Sequence, residues 1–155
     1  MSKWFYKGSP LEEVPEDAFG FVYLISNLIT GRKYIGRKYF GTTRRVKQKN
    51  KKNRKVVRKE SDWQEYVSSS DELKLDIEKL GIDNFKFEII CLGNTKGQVN
   101  YMEENFQHKF NVLTATLPNG TRAFYNYSIG RRKFMSVKFP TLVKEEIHSY
   151  SNNSL

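Results

Sequence analysis

The sequence predicts an α+β domain in which a three-stranded sheet is covered by helices. Three features support this prediction: a β-hairpin pattern at residues 20–36, helix patterns at residues 71–80 and 98–113, and an apolar strand between the two helices. Strands and helices are mixed rather than strictly alternating. A small sheet with helices packed against it is therefore the expected architecture.

The hairpin is the first ordered element that the pattern indicates. Residues 20–25 form a β-branched and aromatic run, Thr30 and Gly31 mark a turn, and residues 33–36 resume the strand pattern. Such runs, separated by turn residues, are typical of paired antiparallel strands. The residues before Gly20 are polar and include two prolines, so we expect residues 1–19 to form a loose lead-in.

Capping residues and apolar periodicity mark the helices. Ser69 and Glu72 have the spacing of a capping box, apolar residues follow at helical intervals, and Gly81 ends the first helix pattern. Residues 85–92 alternate between apolar and charged and then become fully apolar, which indicates a strand that runs into the centre of the sheet. In the second helix, apolar residues recur every three or four positions, so one face is expected to pack on the sheet.

The composition is that of one folded, basic domain. A chain of 155 residues can bury one hydrophobic core, and 14% aromatic residues are too many for a disordered chain. We expect this domain at residues 20–135, followed by a tail at residues 136–155 with one possible helix at 142–149. The single cysteine, Cys91, excludes an internal disulfide and a cysteine-based zinc site. It also suits a cytoplasmic location, in a host cell if the protein is viral. No apolar run is long enough to span a membrane.

Positive charge is concentrated in one stretch of the chain. Residues 37–59 hold 12 Lys and Arg residues and no acidic residue, whereas the rest of the chain holds 15 basic and 17 acidic residues. We expect a solvated loop that binds a polyanion, namely nucleic acid, although a solubilising loop or a localisation signal would have the same composition. The predicted nucleic-acid-binding residues are Arg37, Lys38, Arg45, Lys47, Lys49, Lys51, Lys52, Arg54, Lys55, Arg58 and Lys59.

The hairpin carries two tyrosines close to glycines. Tyr23 ends the sequence Gly-Phe-Val-Tyr at residues 20–23, and Tyr34 belongs to Lys-Tyr-Ile-Gly at residues 33–36. In these two elements the sequence resembles the GIY-YIG nuclease family, with a first element one residue longer than the minimal form. The resemblance spans about residues 20–130. It implies a three-stranded antiparallel sheet flanked by helices.

Three later positions fit that family in order and spacing. Arg44 lies eight residues after Gly36, near the place of the family's arginine, although other basic residues are close by. Glu103 and Glu104 are both candidates for its metal-binding glutamate. At 100° per residue, Glu103 lies about 60° from the centre of the apolar stripe of the helix and Glu104 about 160° from it, which favours Glu103. Asn126 resembles the family's terminal asparagine.

The resemblance implies a metal-dependent DNA endonuclease, of a free-standing homing type or a phage type. A carboxylate such as that of Glu103, or alternatively Glu104, is a suitable ligand for Mg²⁺ or Mn²⁺. Because this set of residues offers only one clear carboxylate, we expect a single metal ion rather than a two-metal site.

The resemblance also implies roles for the other residues. Tyr23 would act as the general base or orient the attacking water, and Tyr34 would assist it. A tyrosine has an ordinary pKa of about 10, so either role as a base would need nearby cations. Arg44 would hold the scissile phosphate, and Asn126 would brace the site by hydrogen bonds.

Two other functions remain open from the sequence. The domain could bind nucleic acid without cleaving it, or it could be a basic RNA-associated protein whose aromatic residues stack on bases. Metal-dependent cleavage of DNA would distinguish an endonuclease from both. The oligomeric state and the target sequence have no signature in the chain.

Overall fold

The hairpin predicted at residues 20–36 forms the middle of a five-stranded sheet. The structure is a computed structural model that describes residues 2–130 and 132–133. Its helices are α1 (Asp71–Leu80) and α2 (Lys96–Lys109), and a 3-10 turn spans Ile82–Asn84. The strands are β1 (Phe5–Tyr6), β2 (Ser9–Pro10), β3 (Gly20–Asn27), β4 (Lys33–Tyr39), β5 (Gly41–Val46), β6 (Lys55–Glu60), β7 (Phe85–Gly93), β8 (Ser128–Ile129) and β9 (Arg132–Lys133).

The main sheet is mixed rather than purely antiparallel. Its strand order is β2-β1-β7-β3-β4, and β3 pairs antiparallel with both β4 and β7. These three strands are the predicted antiparallel sheet. The α+β class is confirmed, but the prediction of only three strands is wrong, because β1 adds a parallel pairing to β7 and β2 extends the edge.

The two additional strands come from the segment that we expected to be a loose lead-in. That expectation is wrong, because Trp4 is fully buried and packs with its ring against Phe21, Tyr23 and Phe87. Its indole N–H donates to the carbonyl oxygen of Trp63 at 2.9 Å. A single large aromatic side chain can anchor an otherwise polar segment to the core. The average composition of the 19 residues does not reveal such an anchor.

Two hydrophobic cores lie on opposite faces of the sheet. Alternation along β3 directs Tyr23 to the first core, where Leu73 of α1 also packs, and Val22 to the second core. The second core also includes Ile35 of β4 and Val99 of α2. The sheet is therefore covered by one helix on each face, and β4 is left as an edge strand between them.

The predicted helices are present, with corrected ends. The N-cap of α1 is Ser70 rather than Ser69, because the Ser70 hydroxyl accepts from the Leu73 N–H at 3.3 Å. Helix α2 begins at Lys96, earlier than predicted, and ends at Lys109, before Asn111 adopts a left-handed backbone with φ of 52°. Within the described residues, neither helix has the length and apolar composition needed to cross a bilayer.

The basic stretch is not a loop throughout. Arg37 and Lys38 belong to β4, and β5 and β6 form a separate two-stranded antiparallel ribbon joined by residues 47–54. The nine other predicted nucleic-acid-binding residues all lie on this ribbon or its connecting loop, and all are exposed. The predicted helix at 142–149 and the tail at 136–155 lie outside the described residues.

Candidate active site

A cleft of about 650 Å³ lies along the edge strand β4, between α2 and the start of α1. Strand β4 contributes Tyr34 and Arg37 to it, and the segment before α1 contributes Ser69 and Ser70. The remaining lining residues are Lys96, Asn100, Glu103, Glu104 and Gln107 from α2, and Tyr125, Asn126, Tyr127, Ser128 and Gly130 from the segment after it.

The polar residues that α2 turns toward the cleft form a stripe. Lys96, Asn100, Glu103 and Gln107 are spaced by four, three and four positions, so they share one face of the helix. This stripe borders the apolar stripe that packs on the sheet. Sequence reasoning selected Glu103 alone, although the same periodicity was present for the other three residues.

Glu103 is the acidic group of the cleft floor. Its side chain is only 11% exposed, and its Oε1 accepts a hydrogen bond from Nη1 of Arg37. Burial raises the pKa of Glu103 above its ordinary value, and the neighbouring Arg37 only partly offsets this effect. Glu104 is exposed and reaches the rim beside Gly130. The expectation from helical phase that Glu103 borders the packed face and Glu104 faces solvent is confirmed.

Arg37 is the arginine of the cleft. Its Nε donates to the Tyr39 hydroxyl at 3.1 Å, and that hydroxyl donates in turn to Oδ1 of Asn100. Partial burial opposes the charge of Arg37, but Glu103 and Tyr39 outweigh it and keep the pKa of the guanidinium raised. We expected Arg37 only to bind nucleic acid, and its partners Tyr39 and Asn100 carried no motif that could have identified them.

Arg44 does not reach the cleft. It is exposed on β5, whereas we expected it to hold the scissile phosphate. The prediction relied on a spacing of eight residues after Gly36, which brings a side chain back to the site only if a helix follows the hairpin. Here the chain continues outward into the β5–β6 ribbon instead.

Tyr34 and Tyr23 differ in their access to the cleft. Tyr34 lines it, and its hydroxyl lies 3.0 Å from that of Ser69. Tyr23 is 1% exposed and is not part of the cleft lining; its ring lies 6.0 Å from the ring of Tyr34. Burial raises the pKa of Tyr34 and raises that of Tyr23 well above its ordinary value. Both phenols are therefore neutral at pH 7 in this structure.

Asn126 joins the segment after α2 to the edge strand. Its Oδ1 accepts from the Ile35 N–H at 3.0 Å, and its Nδ2 donates to the Ile35 carbonyl oxygen at 2.7 Å. The backbone around Phe124 already pairs with β4 at Lys33, and the Asn126 side chain continues this pairing to Ile35. Gln107 donates to the same carbonyl from α2 at 3.0 Å, so both walls of the cleft are fixed to the same peptide of β4.

Most of the chain matches a known protein family. Residues 4–129, more than half of the chain, match the family model described as "Putative endonuclease segE, GIY-YIG domain". The chain belongs to the GIY-YIG nuclease family. No curated protein and no solved structure gives a significant match. The matched region begins at Trp4, which agrees with the burial of that residue in the core of the GIY-YIG domain.

The geometry of this GIY-YIG domain explains the glycine that follows its second tyrosine. Gly36 lies directly opposite Tyr23 in the β3–β4 register. A Cβ atom at Gly36 would lie 2.5 Å from the Tyr23 hydroxyl and 2.8 Å from the ring of Tyr34. Glycine therefore allows the two phenol rings to pack together across the strand, which no other residue would permit without a shift.

The polar groups of the cleft fit a hydrated divalent cation better than a fully enclosed one. Glu103 is the only buried carboxylate, and no group of three His, Cys, Asp or Glu residues is clustered for a metal within the described part of the chain. Mg²⁺ commonly keeps several waters and uses one or two carboxylates, which matches this set. Gln107, one helical turn after Glu103, also has a buried Oε1 without a partner among the described residues. Metal-bound water could provide the missing donor.

Proposed function

We propose that this GIY-YIG domain is a divalent-metal-dependent DNA endonuclease whose catalytic centre is the cleft beside β4. The observation that carries the proposal is the buried Glu103 carboxylate, held by Arg37 and open to the same cleft as Tyr34. A carboxylate kept in a partly apolar site despite an elevated pKa is typical of functional sites rather than of structural ones.

The Arg37–Glu103 ion pair suggests how the site accepts its ligands. A phosphodiester offers Arg37 a new anionic partner that its planar guanidinium can bind through two hydrogen bonds. The Glu103 carboxylate is then free to ligate a cation. Lys96 is a second cation on the cleft wall for the substrate backbone. Substrate and metal would therefore bind cooperatively, because each provides a replacement for one half of the ion pair.

Glu103 would hold one Mg²⁺ or Mn²⁺ ion, with Glu104 at the rim as the alternative ligand. When bound, the ion would neutralise charge that develops on the phosphate and on the leaving oxygen.

Tyr34 would contact the attacking water, because it is the motif tyrosine that lines the cleft. With a raised pKa it is a neutral phenol, which can accept a hydrogen bond from a water molecule and donate one to Ser69 or to the substrate. Tyr23 supports the Tyr34 ring from below rather than serving as the base. We propose that Asn126 positions this part of β4 through its two bonds to Ile35.

DNA is the proposed substrate because ten exposed basic residues extend from β5 to β6, beside the cleft strand. Their phosphate contacts would make affinity fall steeply with salt. A free-standing homing or phage type of endonuclease is the finer proposal, supported by the resemblance of the chain to that group.

The test is cleavage of a supercoiled plasmid. We expect nicking with Mg²⁺ or Mn²⁺ and none with EDTA, and losses of about 10²–10³-fold for Glu103→Gln, Arg37→Ala and Tyr34→Phe. Glu104→Gln is the matched control and should lose less than about tenfold. Circular dichroism establishes that each variant is folded.

The same assay can reject the proposal. Loss of cleavage with Glu104→Gln but not with Glu103→Gln would move the metal ligand to the rim. A wild-type protein that binds DNA in a salt-sensitive manner but cleaves none with either metal would be a non-catalytic binding module.

A further inference from the structure

The β5–β6 ribbon projects from the domain and is exposed along nearly all of its length. Every residue from Thr42 to Glu60 is exposed except Gln48, which is partly exposed. The two strands pair only with each other and not with the main sheet. A ribbon of six residues per strand is about 20 Å long, so it is too large to be a simple turn between β4 and α1.

The register of the ribbon separates its side chains into two faces, since directly opposed residues point the same way. We define the inner face as Gly41, Thr43, Arg45, Val56, Arg58 and Glu60, and the outer face as Thr42, Arg44, Val46, Lys55, Val57 and Lys59.

The base of the inner face is attached to the domain. The Arg58 guanidinium lies 4.5 Å from the centre of the Phe19 ring, and the Glu60 carboxylate accepts from the indole N–H of Trp63 at 2.9 Å. Gly41 is buried, and a Cβ atom at this position would meet the Arg58 side chain. These contacts fix the direction in which the ribbon leaves the body.

The outer face has no such attachment. Its three cations, Arg44, Lys55 and Lys59, form no ion pair with any other residue that the structure describes. Between them lie Val46 and Val57, which are 40% and 41% exposed. The inner face also carries Arg45 and an exposed Val56, but its Arg58 lies against Phe19 and its Glu60 against Trp63, so the outer face is the less obstructed of the two. A face of unpaired cations and accessible methyl groups is suited to a base-pair edge flanked by phosphates.

We propose that the outer face of the ribbon enters the major groove of duplex DNA and reads the sequence beside the cleavage site. This inference rests on the proposed function for the identity of the polyanion. The major groove is about 12 Å wide and admits a two-stranded ribbon, whereas the minor groove, about 6 Å wide, does not. Arg44 can bind a guanine edge through two hydrogen bonds, Val46 and Val57 can contact thymine methyl groups, and the two lysines can contact phosphates.

The short connection between the ribbon and the cleft limits the distance between the recognised bases and the cleaved phosphodiester bond. Strand β5 follows β4 after one residue, Phe40, which is buried against Trp63. From Arg37 in the cleft to Arg44 on the outer face the chain spans at most about 25 Å. At 3.4 Å per base pair this is about seven base pairs. The structure thus assigns Arg44 to recognition and places its target within about one helical turn of the nick.

The matched pair Arg44→Ala and Arg45→Ala tests this inference, since the two residues are adjacent on β5 but point to opposite faces. The full-length protein is incubated in EDTA with a pool of random 30-base-pair duplexes, so that binding is measured without cleavage. We expect wild type to enrich a short motif. Arg44→Ala should weaken binding to that motif by roughly 10–100-fold and relax one position of it, consistent with the loss of a bidentate base contact. Arg45→Ala should lower affinity for all duplexes alike and by less than about threefold.

Groove ligands provide a second readout on the selected duplex. Methyl green, which occupies the major groove, should displace the protein, whereas netropsin, which occupies the minor groove, should not. Equal effects of the two alanine variants, competition by netropsin alone, or the absence of any enriched motif would overturn the inference. So would a dimer in light scattering that Val57→Lys dissociates, because the outer face would then bind a second copy. An enzyme that never cleaves but keeps the preference dependent on Arg44 would refute the proposed function and leave this inference standing.

Discussion

The two hydrogen bonds from Asn126 to Ile35 allow the loss of stability in Asn126→Ala to be predicted. Asn126→Ala removes two buried hydrogen bonds, each with a net value of about 1 kcal/mol. The Ile35 carbonyl keeps its bond from Gln107, but the Ile35 N–H loses the partner it has in the structure. An unsatisfied buried donor costs about 1–3 kcal/mol, so the free energy of unfolding should fall by about 2–3 kcal/mol.

Urea unfolding followed by tryptophan fluorescence measures this change, because Trp4 and Trp63 are both fully buried. With an m-value of about 2 kcal/mol/M, the midpoint should decrease by about 1–1.5 M. Asn105→Ala, at an exposed position of α2, is the control and should change stability by less than about 0.5 kcal/mol. If Asn126→Ala cost no more than Asn105→Ala, Asn126 would not fix the cleft strand and the reasoning would fail.

Three further predictions concern the core and the site. Gly36→Ala should destabilise the domain by about 1–3 kcal/mol in urea unfolding and abolish nicking, because its Cβ would lie 2.5 Å from the Tyr23 hydroxyl. Gly97→Ala is the control: its Cβ would have no neighbour closer than 3.9 Å, so it should be neutral or stabilising. Trp4→Ala should lower the free energy of unfolding by about 3–5 kcal/mol, and a change below about 1 kcal/mol would mean that the N-terminal strand does not belong to the core. Because the pKa of Glu103 is raised in the folded protein, the wild type loses stability as the pH rises above the ordinary glutamate pKa. The melting temperature of Glu103→Gln relative to wild type should therefore increase from pH 4 to pH 7. A decrease over that range would contradict the direction of the shift.

Periodicity and capping predicted the elements that local interactions govern. The β3–β4 hairpin, α1, β7 and α2 all lie where apolar spacing and turn residues placed them, with ends displaced by a few residues. The phase of α2 also distinguished Glu103 from Glu104, because a helix has a fixed angle per residue and burial depends on that angle. These predictions needed no knowledge of how the elements pack.

Predictions that depended on distant partners failed or were incomplete. Trp4 appeared to belong to a polar lead-in because its burial depends on Trp63, far along the chain. Arg44 was assigned by spacing to a site from which the ribbon carries it away, and Arg37 took the place beside Glu103.

By itself the sequence determined the fold class, the concentration of positive charge and the membership of a nuclease-like family, since all three are properties of local pattern and composition. Only the tertiary structure decided which groups meet in the cleft. It buried Tyr23 beneath Tyr34, paired Arg37 with Glu103, and turned one face of the basic ribbon away from the body. The physical reason is that the site combines residues from distant parts of the chain, which meet only when the helices and strands pack together. Their side-chain directions follow from packing and not from the order of residues.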